Sequence, residues 1–563
     1  MRELGSQTTP ERPQSTVSSR APARSAILLL IVLILVAAVS IHGIRKGEFN
    51  FITDETIHAV TGLYVADFLR DLPLAHPVQY TFRYYAQYPA LGLFHWPPFF
   101  YLVEAIMFLL LGPSVVAARL TVLAFSLLGF YFWFKLVNEL HNEWAAALST
   151  GVLALLPFLF PYEKAVMLEI PSLALCIAAS YFWIRYLNTG IRRLLYGFAL
   201  FASLALLTKY QAVYLPIFCL LTVLARRKWS LLFNSTAVWA FGVILLLTAP
   251  YYLLALKIHG RVLLSLGHVS LAESVPMAGG RHVDPYNYYW GKLPEQLGWP
   301  LLLLSVAGVA TCRWWDKKES TVVMLLWVAA CYLGLSFLGA VEPRYMIYWL
   351  PPFIYFAAVP LTATFSRKWV RLPGAAAALI LFGIYFRLAW TYERPYISGY
   401  AAVASRLTQN NDSGFILFDG ELPGNFIFFM RSLDPERRFF VLRKALYLPS
   451  GTQPDAGLVQ SSAQLKKFID SYGIKHIVVS KNAPTLSAVH TIPDNILREL
   501  LQTPQFKLAG EFPVETSIAA LQGDSLLLYE NTLVMPRSAR TLTIETSGLN
   551  HAISVPLDDR QHR

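Results

Sequence analysis

Two adjacent carboxylates, Asp54 and Glu55, stand in the run Phe51-Ile52-Thr53-Asp54-Glu55-Thr56-Ile57-His58, shortly past an apolar segment of membrane length. A carboxylate there can take a proton from an attacking hydroxyl. Thr53 is a good N-cap, which puts both acids in the first turn of a helix, where the dipole favours negative charge. Ile57, Val60, Tyr64 and Phe68 recur at spacings of three and four, with Asp54 and His58 one turn apart. The pattern predicts an amphipathic helix lying along a bilayer surface. A capped surface helix without chemistry would read the same way, so the rest of the chain must decide.

Further polar groups interrupt the apolar segments. His95 opens His95-Trp96-Pro97-Pro98, Glu163-Lys164 and Glu169 flank a hairpin end, Lys209 sits in Leu207-Thr208-Lys209-Tyr210, and Arg344 in Val341-Glu342-Pro343-Arg344-Tyr345. Each has a plain alternative: an interfacial loop, a solvated hairpin, a snorkelling lysine, a local Glu342–Arg344 pair. If all fall at one membrane face, cations suited to a phosphate and acids suited to proton abstraction would share one rim.

The elements that must position them follow from composition. The chain has 563 residues, 55% of them hydrophobic, and a mean hydropathy of +0.46, which predicts a polytopic helical membrane protein. The formal charge of +12 calls for no nucleic acid, because much of it sits in short basic clusters between spans. All four cysteines lie in or beside apolar spans, so no disulfide framework is implied.

Residues 1–24 read as a disordered cytoplasmic tail, and 25–390 as the transmembrane domain. Eleven crossings are expected, at 25–42, 116–137, 144–160, 171–188, 194–208, 210–225, 236–256, 298–312, 321–340, 344–362 and 373–390. Basic pairs such as Arg192-Arg193 and the run Arg226-Arg227-Lys228 follow apolar runs and are placed inside. That parity leaves the short run Phe99–Leu111, which contains Glu104, as interfacial or re-entrant, within a large outer loop 43–115. A second outer loop is expected at 257–297. Residues 391–563 lack a long apolar run. Strands at 415–418, 439–442 and 474–480, with helices at 400–409 and 463–472, predict an extracytoplasmic α/β domain. The fold class is therefore mainly α, a membrane helical bundle with a C-terminal α/β domain.

Thr53-Asp54-Glu55, Pro97-Pro98 with Phe99 and Tyr101, Gly112-Pro113-Ser114 leading to Ala118-Arg119-Leu120, Met167-Leu168-Glu169-Ile170-Pro171, Leu207-Thr208-Lys209 and Pro343-Arg344-Tyr345 before Leu350-Pro351-Pro352 occur in an order that resembles GT-C glycosyltransferases. The likeness is to the protein-mannosyltransferase and aminoarabinose-transferase type, over roughly 25–365. It implies a polyprenyl-phosphate sugar donor, an acceptor on the outer face (a glycan, lipid or protein), and inversion at the anomeric carbon. It puts the catalytic acids on Asp54 and Glu55, with Asp54 as base, and the donor phosphate on Lys209 and Arg344. His58, His95, Lys164 and Glu169 are further substrate-binding candidates. Three positions depart from the pattern. Glu169 stands where the family usually has Asp, and Ile57 and Trp96 stand where aminoarabinose transferases have Arg and Lys. The departures at Ile57 and Trp96 argue against aminoarabinose as the sugar.

No cofactor is expected. A divalent metal would have to use His95, His259, His268, His282 or Glu273, which lack a recognisable ligand spacing. The expected location is the cell inner (plasma) membrane, multi-pass, with the N-terminus cytoplasmic and the C-terminal domain outside. A secondary transporter or a non-catalytic membrane assembly protein is the alternative. A transporter would place helix breaks and acids at mid-membrane in two matched halves, and no internal repeat is visible.

Overall fold

The computed structural model describes residues 20–49, 52–92, 95–266, 275–276, 282–283, 285–314, 318–336, 342–367, 369–409, 412–443, 459, 461–482, 494–544 and 553–557. Helices α1 (Arg20–Ile41), α5 (Val115–Leu140), α8 (Glu169–Thr189), α11 (Ser235–Leu266), α14 (Lys318–Leu335), α15 (Leu350–Ala363) with the 3₁₀ turn Pro343–Trp349 before it, and α16 (Arg371–Thr391) contain the seven segments long and apolar enough to cross a membrane. Two further helix pairs are long and apolar enough only if each bent pair counts as one span. α6 (Glu143–Ala154) meets Pro157–Glu163, which ends in the short α7 (Phe160–Glu163), at 48°, and α12 (Pro285–Leu297) meets α13 (Trp299–Thr311) at 113°. Pro157 and Gly298, the latter at φ 75°, stand at these breaks. The other two expected crossings are the shorter apolar helices α9 (Leu194–Leu206) and α10 (Tyr214–Arg226). The chain is thus a multi-pass membrane protein; helix covers each of the eleven expected spans, but among the described residues only seven, or nine if each bent pair is one span, are long and apolar enough to cross.

The described part of the loop 43–115 is helical. α2 (Ile52–Asp71) begins one residue ahead of the expected cap at Thr53, whose side chain lies outside the described residues. α3 (Pro77–Gln87) and α4 (Phe99–Leu111) follow, and α2 packs along α4. Gly62 makes room in that packing for the buried Glu104 side chain, which a Cβ there would force to shift.

The bundle has two chemically distinct ends. At one, Arg24 pairs with Glu143, Arg226 reaches Asn188 at 2.6 Å and Glu319 at 3.8 Å, and Lys228 donates to the Leu187 carbonyl at 2.9 Å. At the other, Arg119 near the start of α5 donates to the carbonyls of Ile44 at 2.6 Å and Glu48 at 2.8 Å.

Beyond α16 the chain builds a mixed sheet. In addition to the short pairings β1 (Val275–Pro276) with β2 (His282–Val283) and β3 (Ile397–Ser398) with β8 (Glu515–Thr516), five strands run in the order β5-β4-β6-β9-β7. These are β4 (Gly414–Asp419), β5 (Phe439–Leu442), β6 (His476–Ser480), β7 (Phe506–Pro513) and β9 (Ser525–Asn531). β5, β4 and β6 are parallel, and β9 runs antiparallel to both β6 and β7. Helices α17 (Tyr400–Thr408), α18 (Pro423–Leu433), α19 (Ser462–Tyr472) and α20 (Asp494–Leu501) accompany the sheet, and a hairpin of β10 (Thr541–Ile544) and β11 (Ile553–Pro556) follows it. The expected strands and helices of this region are present.

The α/β region docks on the first loop through buried polar contacts. Glu48 accepts from the backbone N–H groups of Gly399, Tyr400 and Ala401 at 3.0–3.2 Å, which caps α17. Asn425 pairs with both the N–H and the carbonyl of Phe49. Arg431 grips the Asp67 carboxylate, with Nε at 2.7 Å, and Tyr84 donates to the same carboxylate at 2.8 Å. Gly424 lies so close to Thr56 that any side chain would clash.

Candidate active site

Four separate elements bring ionisable groups together. α2 presents Asp54 in its first turn, and α8 presents Glu169 in its own. Lys209 occupies the extended residue between α9 and the 3₁₀ turn Tyr210–Val213. The Phe99 N–H of α4 donates to the Leu207 carbonyl at 2.8 Å, tying that turn to the first loop. Arg344 lies in the 3₁₀ turn before α15. Gln296 steadies that turn, donating to the Pro343 carbonyl at 2.7 Å and accepting from Trp349 Nε1 at 2.8 Å.

The geometry is a shared ion cluster. Arg344 Nη1 lies 3.1 Å from Asp54 Oδ2, and its Nε pairs with Glu342 and lies 3.6 Å from Glu169 Oε1. Lys209 Nζ reaches the same Glu169 oxygen at 2.5 Å. Three carboxylates therefore face two cations. Glu169 and Lys209 are buried, whereas Asp54, Arg344 and Glu342 keep a little exposure. Burial pulls the Lys209 ammonium below its usual range, opposed by the Glu169 carboxylate. Glu169 Oε2 is buried without a hydrogen-bond partner among the described residues. The Tyr345 ring lies 5.6 Å from both the Lys209 and the Arg344 charge.

His58 joins the wall of this site. Its Nδ1 shares a hydrogen bond with Tyr101 Oη at 2.8 Å, and the Trp96 ring packs edge-on against it at 4.7 Å. Burial lowers its pKa from 6.5 to about 4, although Asp54 and Glu169 pull the other way, so the imidazole is neutral. His95 is exposed and packs on Trp96 at 4.2 Å. Trp96 thus supplies an aromatic wall where the resemblance has lysine.

Two expected site residues lie elsewhere. Glu55 is fully buried, accepts from the Val166 N–H at 3.1 Å and lies 3.6 Å from Arg394. Lys164 lines a separate cavity and sits 5.7 Å from the Tyr392 ring. Arg394, which follows the last span and also donates to the carbonyls of Lys164 and Glu48, was not anticipated. Its only signal in the sequence was a charge just beyond an apolar run. Among the described residues no group of three His, Cys, Asp or Glu side chains converges as a metal site requires. Of the possible ligands, His268 and Glu273 lie outside the described residues, as do the side chains of His259 and His282.

Residues 95–253 match the family model described as dolichyl-phosphate-mannose-protein mannosyltransferase. Among solved structures, ArnT from Cupriavidus metallidurans bound to undecaprenyl phosphate is similar at 15% identity. The match covers 92% of this chain and 100% of that one, with a TM-score of 0.57. The arabinofuranosyltransferase AftD from Mycobacteria is similar at 15% identity over 92% of this chain and 40% of that one, TM-score 0.54. The Archaeoglobus fulgidus oligosaccharyltransferase in complex with Zn and sulfate is similar at 12% identity over 80% of this chain and 68% of that one, TM-score 0.53. No curated protein sequence matches significantly. The chain has the GT-C glycosyltransferase fold, with a sheet-containing C-terminal domain.

Proposed function

We propose that this chain, a multi-pass membrane protein of GT-C fold, is an inverting glycosyltransferase that moves a sugar from a polyprenyl-phosphate donor to an acceptor hydroxyl. The observation that carries the reading is the Asp54–Arg344–Glu169–Lys209 cluster at one end of the bundle. Two solved relatives of the same fold support the donor class: the ArnT structure holds undecaprenyl phosphate, and an Archaeoglobus fulgidus oligosaccharyltransferase structure holds dolichol phosphate.

In this reading the donor's prenyl tail stays in the bilayer and its phosphate meets Lys209 and Arg344. Both cations are already paired with carboxylates, so the phosphate displaces a carboxylate from Arg344 as it binds. Losing Arg344 as a partner frees Asp54 to accept the acceptor hydroxyl's proton. The acceptor oxygen then bonds to the anomeric carbon, and the bond from that carbon to the phosphate oxygen breaks. The electron pair leaves on the polyprenyl phosphate, where the two cations stabilise it. Glu169 Oε2, buried and without a hydrogen-bond partner among the described residues, would accept from a sugar hydroxyl. Charge supports an outward-facing cluster in the plasma membrane: Arg24, Arg226 and Lys228 gather at the opposite end, and the positive-inside rule favours the cytoplasm for such an end.

The test is to incubate membranes containing the protein with a panel of polyprenyl-phosphate sugars and an envelope extract as acceptor. Donor consumption that depends on Asp54, with the product anomer inverted, supports the reading. No consumption across the panel, or retention of configuration, overturns it.

A further inference from the structure

Away from the ion cluster, Lys164 lines a cavity of about 100 Å³ with Lys46, Arg119, Glu163, Tyr392 and Arg394. The cavity sits where α1 ends, α5 begins and α16 ends. The His42 ring at its edge stacks on Trp390 at 4.4 Å, and Trp390 stacks on Phe386, an arrangement that marks the interfacial level of a bilayer.

The charges around it are unequal. Arg394 faces Glu55 at 3.6 Å and Lys46 pairs with Glu393 at 3.0 Å, which leaves Arg119 and Lys164 opposite Glu163 among the described lining residues. Arg119 and Glu163 are 3% and 5% exposed. Arg119 spends its two terminal nitrogens on backbone carbonyls, while its Nε and Glu163 Oε1 have no hydrogen-bond partner among the described residues. Arg119 and Glu163 thus line one small space that carries a surplus positive charge, each with a buried polar atom unserved among the described residues. Ordered waters would serve the two hydrogen bonds but would leave that charge uncompensated.

We propose that this cavity binds the headgroup of an anionic membrane phospholipid. The phosphodiester oxygens take Lys164 and Arg119 Nε, and a headgroup hydroxyl donates to Glu163. The negative phosphodiester answers the surplus positive charge, the hydroxyl answers the Glu163 carboxyl, and the interfacial setting supplies a lipid rather than a soluble phosphate.

Native mass spectrometry of the detergent-purified full chain tests this. The probes are phosphatidylglycerol, phosphatidylethanolamine and phosphatidylcholine of identical acyl chains, and soluble glycerol 3-phosphate. Phosphatidylglycerol should be retained over phosphatidylcholine by at least about fivefold. Lys164→Met and Glu163→Leu, each checked as monodisperse, should both abolish that preference. Equal retention of the two lipids by the unaltered chain, or a preference surviving both substitutions, overturns the proposal. A stronger preference for the ethanolamine headgroup overturns the assigned lipid class, and equivalent binding of glycerol 3-phosphate overturns the lipid source.

Discussion

Arg344 lies 3.1 Å from Asp54, a residue 290 positions earlier in the chain, and the same guanidinium also meets Glu342 and Glu169. One cation therefore links the first-loop acid to the acid at the head of α8. This contact gives separate acidic and basic positions a common chemistry.

Asp54→Asn should leave the fold intact, because Asp54 keeps some exposure and amide and carboxylate are nearly isosteric. Transfer should fall by about 10²–10⁴ if Asp54 is the base. Turnover in reconstituted membranes is the measurement, and near-normal turnover removes Asp54 from the chemistry.

Lys209→Met leaves Glu169 buried with Arg344 as its remaining charged partner. It should lower stability by about 3 kcal/mol and cut transfer by about 10²–10³. Adding Glu169→Gln should restore thermal stability but not transfer. Recovery of both would make the pair structural.

Glu342→Gln removes one carboxylate that competes with phosphate for Arg344. The partly exposed pair is worth little by itself, so the donor KM should fall by about two- to fivefold with kcat nearly unchanged. A raised KM would show instead that Glu342 organises Arg344 for the donor.

Glu55→Gln should act on stability rather than chemistry. Glu55 serves the Val166 N–H and Arg394, so losing its charge should cost about 1–3 kcal/mol while turnover per folded molecule changes little. A loss of turnover as large as that of Asp54→Asn would restore Glu55 to the reaction.

Acid should loosen the first loop through His58. Its folded-state pKa of about 4 lies below the unfolded 6.5, so the unfolded chain binds more protons between these values. The corresponding stability is present above pH 6.5 and is lost as pH falls toward 4, by about 3 kcal/mol at most. Thermal unfolding at pH 7 and pH 5 measures this, and His58→Asn should flatten the difference.

Asp54, Lys209 and Arg344 were legible in the sequence because charge beside apolar runs is costly enough to stand out. Their mutual pairing was not, since it joins residues from four elements. Glu55 shared every sequence cue with Asp54. Successive helical residues point about 100° apart, however, so when one faces the cluster its neighbour turns into the protein. Lys164 failed to join the cluster for a related reason, because the break at Pro157 redirects the chain before Glu163. In the C-terminal region β4, β5 and β6 were readable as apolar runs. β7 was not: it is exposed over much of its length and lacks a clean alternation.

The clasp of Glu48, Phe49 and Asp67 by residues near 400, 425 and 431 bears on how the protein is made. Phe49 and Asn425 are 376 positions apart, and ribosomes extend chains by about 5–20 residues per second, so about 20–75 s separate their synthesis. Throughout that interval the nascent loop lacks the partners for its buried polar groups. That end of the molecule therefore matures last, after the helices have inserted, and a ribosome stalled before codon 431 would leave the first loop in the bilayer with Asp67 unclasped.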